Sequence, residues 1–272
     1  MNGNLQEKYN KLLNILRSTG GLAVAFSGGV DSAFLVYAAH EALVEKLLAI
    51  TVTTQSYPRH EAADAAKILQ SYGVKHAQIE LNQLVIPGFC ENGAQRCYYC
   101  KYALFSEIKA EAAKHGITAV ADGANTDDEN DYRPGMRATA ELGILSPLRS
   151  AGFSKLDIRE ASKELGIFTW NKPSYACLAS RIPYGEEITA EKLAMVERAE
   201  QALLDMGFKE MRVRCHGKLA RIEVAENDFA KAAAQRKEIS AAVKNAGFLY
   251  AALDLEGFRS GSLNAALENK NA

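Results

Sequence analysis

An excess of charge of either sign is missing from this sequence: its 272 residues carry 32 lysines and arginines against 33 aspartates and glutamates, a formal net charge of −1. A chain so balanced has no overall field to draw it onto nucleic acid or an anionic membrane, so any anion it binds must be gripped locally. Long hydrophobic runs are missing too. None approaches the ~18 apolar residues of a membrane span, and the stretch MNGNLQEKYNKLLNILRSTGG sets Leu5, Tyr9, Leu12, Leu13 and Leu16 at helical spacing between charges, without the pattern of an export signal. A cytoplasmic protein with an N-terminal amphipathic helix is expected. Cysteines are few and odd in number: Cys90, Cys97, Cys100, Cys177 and Cys215. That argues against a disulfide framework and leaves reactive or metal-binding thiols as the open question. There is no internal repeat, and no low-complexity segment beyond a polar C-terminal tail.

What is present is alternation. GLAVAF reads as a buried strand, SAFLVYAAHEALVEK as a helix and LLAITVTT as a strand; RHEAADAAKILQSYG, KHAQIEL, KYALFSEIKAEAAKHG and TAVADG repeat the pattern. The fold class this predicts is α/β, a parallel sheet flanked by helices, with ligands beyond the carboxyl ends of the strands. SKLDIREASKELG reads as a further helix, with Ser154 as N-cap and Asp157 in the capping-box position. The aperiodic segment NKPSYACLASRIPYGEE, with Pro173, Pro183 and Gly185, marks a boundary. Residues 1–180 are therefore expected to form the α/β domain and residues 181–272 a smaller α+β domain. Its elements read as helix AEKLAMVERAEQALLDMG, a hairpin of EMRVRCHG and LARIEVAE near Gly217, helix DFAKAAAQRKEISAAVKNAG and strand FLYAALDLEGF.

AFSGGVDSAFLV joins the first strand to the second helix. A helix that starts there offers its first N–H groups and its dipole to an anion. Gly28 and Gly29 let the backbone approach phosphate, Ser27 and Ser32 add hydroxyls, and Asp31 makes sense as a helix cap or a ligand to a divalent metal. An isolated Gly-Gly at such a junction is most simply a turn. No G-K-[ST] follows, so transfer of a γ-phosphoryl group is not what the loop suggests. The complete S-G-G-V-D-S resembles the pyrophosphate loop of the N-type (PP-loop) ATP pyrophosphatases. The resemblance implies cleavage of ATP between its α and β phosphates, with Ser27, Gly28, Gly29, Asp31, Ser32, Thr53 and Gly123 around ATP and pyrophosphate.

ADGANTDDENDYRPG gathers Asp122, Asp127, Asp128, Glu129 and Asp131 after a later strand. On composition it is most often a solvated turn. On the phosphate side of the sheet it could supply oxygens to Mg²⁺, for which Asp31 and Glu129 are the candidates, with Arg133 and Arg137 close behind to pair with carboxylates or phosphate. RCYYC places Cys97 and Cys100 at the mouth of a helix, and Cys177 lies in the boundary segment. The pair alone fits half a zinc site, a redox pair or two semi-buried thiols. Together with Cys177, three thiolates suggest a [4Fe-4S] cluster whose fourth iron is open to hydrosulfide. A zinc site completed by Cys215 or His216 is the main competitor; Cys90 reads as a packed thiol, and Cys215, alternating with Met211 and Val213, as buried. Arg212, Arg214 and His216 take the other face of that strand, most simply a solvated surface.

DGANTDDENDYRPG, NKPSYACLASRIPYG, RVRCHGKLARIEV and LDLEGFRSG, in order after the loop, resemble the sulfur transferase family that builds the nickel-pincer cofactor of lactate racemase. The likeness covers nearly the whole chain. It implies ATP and Mg²⁺, a pyridinium-3,5-biscarboxylic acid mononucleotide substrate, sulfide or another sulfur donor, and an assembly of identical subunits. It implies two variants as well. In one, a single cysteine at the position of Cys177 gives up its own sulfur; in the other, three cysteines, here Cys97, Cys100 and Cys177, carry a [4Fe-4S] cluster, and the presence of C-x-x-C favours that one. Cys177, Glu200, Arg212 and Arg214 take catalytic positions in this resemblance, and Arg181, Arg212, Arg214 and Arg259 face substrate phosphate or carboxylate. On sequence alone Glu200 is an ordinary exposed helix carboxylate.

Three rivals remain. A tRNA-thiolating enzyme of the same superfamily would need basic surface that this charge balance does not provide, so nucleic acid is not an expected partner. A non-catalytic ATP sensor has no use for the three cysteines. An amide-forming synthetase would need an ammonia source, and no glutaminase-like stretch is present.

Overall fold

The computed structural model describes residues 1–130, 134–173 and 177–259, with the side chains of 62, 63, 129 and 130 outside that description. The chain forms two compact units: Met1–Asn82 with Cys97–Tyr175, and Gln83–Arg96 with Ala176–Ala272. The second unit thus takes up a short segment that lies, in sequence, inside the first.

In the first unit the elements run α1 (Gly3–Ser18), β1 (Leu22–Ala25), α2 (Val30–Leu43), β2 (Leu47–Thr53), α3 (Arg59–Tyr72), β3 (Lys75–Glu80), α4 (Arg96–Lys114), β4 (Val120–Ala121), α5 (Pro134–Glu141), α6 (Pro147–Ala151) and α7 (Lys155–Glu164). Only Arg96 of α4 belongs to the other unit. The strands are all parallel, in the order β3-β2-β1-β4, so the parallel α/β sheet read from the alternation is present. Period-two alternation feeds a core on each face: Leu22, Val24, Leu47 and Ala49 turn to one, Ala23, Leu48 and Ile50 to the other. Helix α1 lays Leu5, Tyr9, Leu12, Leu13 and Leu16 into the first of these cores, each worth about 1.5–3 kcal/mol when fully buried. The capping box at α7 forms as read, with Ser154 Oγ accepting from the Asp157 N–H and the Asp157 carboxylate accepting from the Ser154 N–H. The chain leaves β1 toward β2 on one side and reaches β4 on the other. The loop after β1 therefore sits at the switch point, where adjacent connections diverge and leave a crevice.

The second unit holds α8 (Ala190–Asp205), β5 (Met211–His216), β6 (Leu219–Val224), α9 (Phe229–Ala234), α10 (Arg236–Asn245) and β7 (Tyr250–Leu253). β5 and β6 form the expected antiparallel hairpin, and β7 pairs with β6 in parallel. The single helix read between these strands is two: Gln235, with ψ of 20°, leaves helical geometry and interrupts the hydrogen-bond ladder. Among the described residues no helix is long and apolar enough to cross a membrane.

Candidate active site

Ser27 to Ser32 turn sharply out of β1 into α2. Gly28 has φ of +69°, and a Cβ there would lie 3.1 Å from the Ala65 Cβ, so both its backbone angle and its space require glycine. Gly29 is the N-cap of α2 and no side chain caps the helix start, which leaves its opening N–H groups directed at whatever occupies the loop. The hydroxyls of Ser27 and Ser32 lie 3.2 Å apart, and Ser32 Oγ donates to the Gly29 carbonyl. Tyr57 braces the loop from outside by donating to the Ser27 carbonyl at 2.8 Å. Gly123, after β4, allows close approach: a Cβ there would sit 3.2 Å from the Ser32 nitrogen and 3.3 Å from the Asp31 Cβ. Thr53 ends β2, where its Oγ1 accepts from Gln78. The structure thus brings Ser27, Gly28, Gly29, Asp31, Ser32 and Gly123 to one place, with Thr53 at the end of the strand beside β1.

Asp31 has two unlike oxygens. Oδ2 accepts from Lys155 Nζ at 2.5 Å, whereas Oδ1 is buried with no hydrogen-bond partner among the described residues. Burial pushes this carboxyl above the usual range by more than the Lys155 ammonium pulls it down. A half-buried acid whose solvent-shielded Oδ1 is unused, beside a phosphate-type loop, fits a divalent cation. One oxygen of each neighbouring acid is taken locally: Asp122 Oδ1 accepts from the Ser146 hydroxyl and the Ala124 N–H, Asp127 Oδ2 from the Lys155 N–H, and Asp128 Oδ2 from the Asn125 N–H. Most of the acidic loop is therefore self-capping structure rather than a free ligand set. Glu129's side chain, Asp131 and Arg133 lie outside the described residues. Arg137 stacks on Tyr98, its guanidinium carbon 4.0 Å from the ring centre, and pairs with Glu141, so its described contacts are an aromatic ring and an acid of its own helix.

Two cations that the sequence reading passed over stand at this loop. Lys155, the first residue of α7, reaches Asp31; Lys172 donates to the Gly28 carbonyl at 3.3 Å and pairs with Glu61 at 2.8 Å. The capping box signalled only the start of α7, and nothing in NKPSY marked Lys172 as special. Glu61 is buried. Burial pushes its carboxyl up, but His60 and Lys172 outweigh that and hold it below the usual range, while Glu61 raises His60 in turn.

Cys97 and Cys100 lie three apart on the first turn of α4, on one face, and both are half-buried. Cys177, exposed, belongs to the second unit, just before a short helical turn at Leu178–Arg181. Within either unit no three described His, Cys, Asp or Glu side chains converge as a metal site. Cys215 is wholly buried and its thiol is pushed up by that burial; Cys90 is half-buried and its Sγ lies 3.2 Å from the Leu84 carbonyl.

In the second unit the arginine face of β5 is not a solvated surface, and Glu200 is not an exposed helix acid. Arg181, Glu200, Arg212, Arg214 and Glu223 are all buried. Arg181 binds Glu200 through two bonds and Arg214 binds Glu223 the same way, the fork-on-carboxylate geometry of guanidinium. Glu200 Oε1 accepts also from the Val213 N–H, and Arg214 donates to the Ser180 carbonyl. Glu223, next to the hairpin's charged strand, was not singled out by sequence, because only its pairing across from Arg212 in register reveals it. Arg212 lies over Phe258, 4.8 Å from the ring centre, and burial, with Arg181 nearby, lowers its pKa to about 10. Arg259, next to Phe258 in sequence, is exposed and paired with Glu256.

Residues 6–94 match the family described as NAD synthase. An uncharacterized protein of Synechocystis is 39% identical over 97% of this chain and 99% of its own length. The pyridinium-3,5-bisthiocarboxylic acid mononucleotide synthase of Lactiplantibacillus plantarum is 34% identical over 97% of this chain and 96% of its own. An uncharacterized protein of Methanocaldococcus jannaschii is 31% identical over 96% of each.

Proposed function

The chain belongs to the family of pyridinium-3,5-bisthiocarboxylic acid mononucleotide synthases, ATP-dependent sulfurtransferases on a PP-loop fold, and from that premise we propose that it adenylates a carboxylate of pyridinium-3,5-biscarboxylic acid mononucleotide and converts it to a thiocarboxylate for a nickel-pincer cofactor. The observation that carries this reading is the uncapped start of α2 behind Gly28 and Gly29, with the unused Asp31 oxygen beside it.

The substrate carboxylate attacks the α-phosphorus of ATP and pyrophosphate departs into the Ser27–Ser32 loop, where N–H groups, two hydroxyls and Lys172 receive its charge. Asp31, joined by Glu129, would hold Mg²⁺, and Lys155 would be released from Asp31 when the metal arrives. Adenylation supplies what a free carboxylate lacks, a good leaving group. Hydrosulfide then adds to the acyl carbon and AMP leaves. Arg181, Arg212 and Arg214 bind the phosphate and carboxylates of the substrate, Glu200 sets the fork of Arg181, and Arg259 adds a peripheral cation.

Cys97, Cys100 and Cys177 would hold a [4Fe-4S] cluster. The donor chemistry fits, since two thiols share a helical face and a third is exposed. When bound, such a cluster supplies a place to keep sulfide next to an activated carboxyl. The protein acts on a small molecule in the cytoplasm, as an assembly of identical subunits.

Anaerobic reconstitution with iron and sulfide, followed by assay for AMP, pyrophosphate and a thiolated pyridinium product, tests the reading. Repeated turnover that requires Cys97 and Cys100 is expected. A Cys97→Ala, Cys100→Ala double variant that kept both cluster and repeated turnover would refute the cluster assignment. Loss of one sulfur from Cys177 by mass spectrometry would instead identify that residue as a sacrificial donor.

A further inference from the structure

The segment 83–96 is a part of the second unit whose purpose neither the phosphate loop nor the arginine group explains. Its centre is Asn92, wholly buried and with φ of +51°, a left-handed backbone in a residue that is not glycine. The side-chain amide nitrogen of Asn92 reaches three carbonyls, Ile182 at 3.2 Å, Pro183 at 2.7 Å and Glu186 at 3.0 Å. Its oxygen accepts from Arg96. Arg96 is itself buried, donates to the Ala179 carbonyl at 3.1 Å and stacks over Tyr184. Two backbone bonds finish the fastening, from the Gly185 N–H to the Asn92 carbonyl and from the Ile188 N–H to the Cys90 carbonyl.

Every carbonyl gripped this way belongs to the loop 179–186. The same loop begins at Cys177 and carries Arg181, which donates to the Cys177 carbonyl and the Ser180 hydroxyl, while the Ser180 carbonyl receives Arg214. The loop has little regular structure of its own to fix its path, so its backbone acceptors are satisfied by two side chains from a remote stretch of sequence. Arg96 is also the residue before Cys97. One side chain thus binds both Asn92 and the chain two residues past Cys177.

We propose that Asn92 and Arg96 are positioning residues for sulfur transfer: they hold the 177–186 loop in one backbone path and thereby aim the Cys177 thiol and the Arg181 guanidinium. The proposal rests on the sulfur-transfer reading for its catalytic consequence, but not for its effect on Cys177.

The test uses the full chain with Asn92→Gly, which keeps the left-handed backbone and deletes the clamp, and Arg96→Met and Arg96→Lys. Cys177 alkylation by iodoacetamide is followed residue by residue by mass spectrometry, with buried Cys215 as the monitor of general unfolding. Asn92→Gly and Arg96→Met are expected to change the Cys177 rate by about threefold or more while Cys215 stays unlabelled. In the reconstituted enzyme they are expected to lower kcat for thiolation by about tenfold to a hundredfold while the KM for ATP stays within about twofold, with Arg96→Lys in between. Wild-type alkylation rates in both deletions overturn the proposal. So does labelling of Cys215 in step with Cys177, or a fall in kcat that tracks melting temperature and is not eased by lysine. If the wild-type protein makes no thiolated product, the sulfur-transfer reading fails and the alkylation arm still decides the clamp.

Discussion

Arg181 and Glu200 meet through two parallel bonds, Nε to Oε1 at 2.8 Å and Nη2 to Oε2 at 2.9 Å, with Arg181 wholly excluded from solvent. Removing one partner strands the other charge, which in buried pairs costs about 3–5 kcal/mol. Glu200→Ala is therefore expected to lower the urea midpoint of the second unit sharply. Replacing both by apolar residues, Arg181→Met with Glu200→Leu, recovers only part of the loss. The Val213 N–H, which Glu200 Oε1 accepts at 2.9 Å, would be left unmatched, at about 1–3 kcal/mol. A double variant as stable as wild type would show that this third bond is unimportant.

Gly28 and Gly123 face different constraints. Gly28→Ala meets a left-handed φ and a neighbouring Cβ at 3.1 Å, so it costs about 1–3 kcal/mol in the folded state and should abolish pyrophosphate release. Gly123→Ala has no backbone conflict, but its Cβ presses on the start of α2. It should weaken ATP binding, read by calorimetry, with a smaller change in melting temperature. Equal loss of stability in both variants would contradict this division.

The sheet, the hairpin and the phosphate loop were legible because each leaves a local trace: alternation, a Gly turn, a Ser-Gly-Gly between strand and helix. The burial of Arg214 was not, because a period of two separates the faces of β5 without saying what covers each one. Only the partner strand, with Glu223 in reach, turns a charged face into an interior one. Lys172 was invisible for a similar reason. It lies 144 positions from Gly28 in sequence and has no motif of its own. Asn92 and Arg96 carry no periodic signal, and their targets lie 83 to 94 residues away.

Lys172 joins the loop to Glu61, so its removal has two measurable effects. The Gly28 carbonyl loses a charged donor at 3.3 Å and Glu61 loses its ammonium at 2.8 Å. A charged hydrogen bond is worth about 1.5–3 kcal/mol, or roughly tenfold to a hundredfold in affinity. Lys172→Met should weaken inhibition by added pyrophosphate by that factor. Pyrophosphate should also protect the variant less than wild type against thermal unfolding. Unchanged inhibition would mean that Lys172 serves the fold alone.

Asp31 is held at a cost. Its burial opposes ionisation more than Lys155 supports it, so the charge is kept against the interest of the ligand-free fold. Asp31→Asn is expected to leave the ligand-free melting temperature unchanged or higher, and to remove the Mg²⁺ dependence of ATP binding. A large fall in melting temperature would show that the Lys155 pair, and not the metal, explains the residue.

Glu61 and His60 set a window of pH for the support beneath the loop. The folded protein holds Glu61 below its ordinary 4.5, so its contribution is complete above that value and is lost as pH falls through the lowered one. His60 is raised above 6.5, so its contribution is complete below that value and is lost as pH rises through the raised one. Their joint stabilisation is therefore greatest between 4.5 and 6.5 and declines on both sides. His60→Gln should flatten the upper limb of the difference in melting temperature against pH and leave most of the lower limb, because Lys172 still holds Glu61. Glu61→Gln should remove the lower limb and most of the upper one, since Asp64 also raises His60 but by less than Glu61 does. An upper limb that survived in full in Glu61→Gln would assign it to a different group.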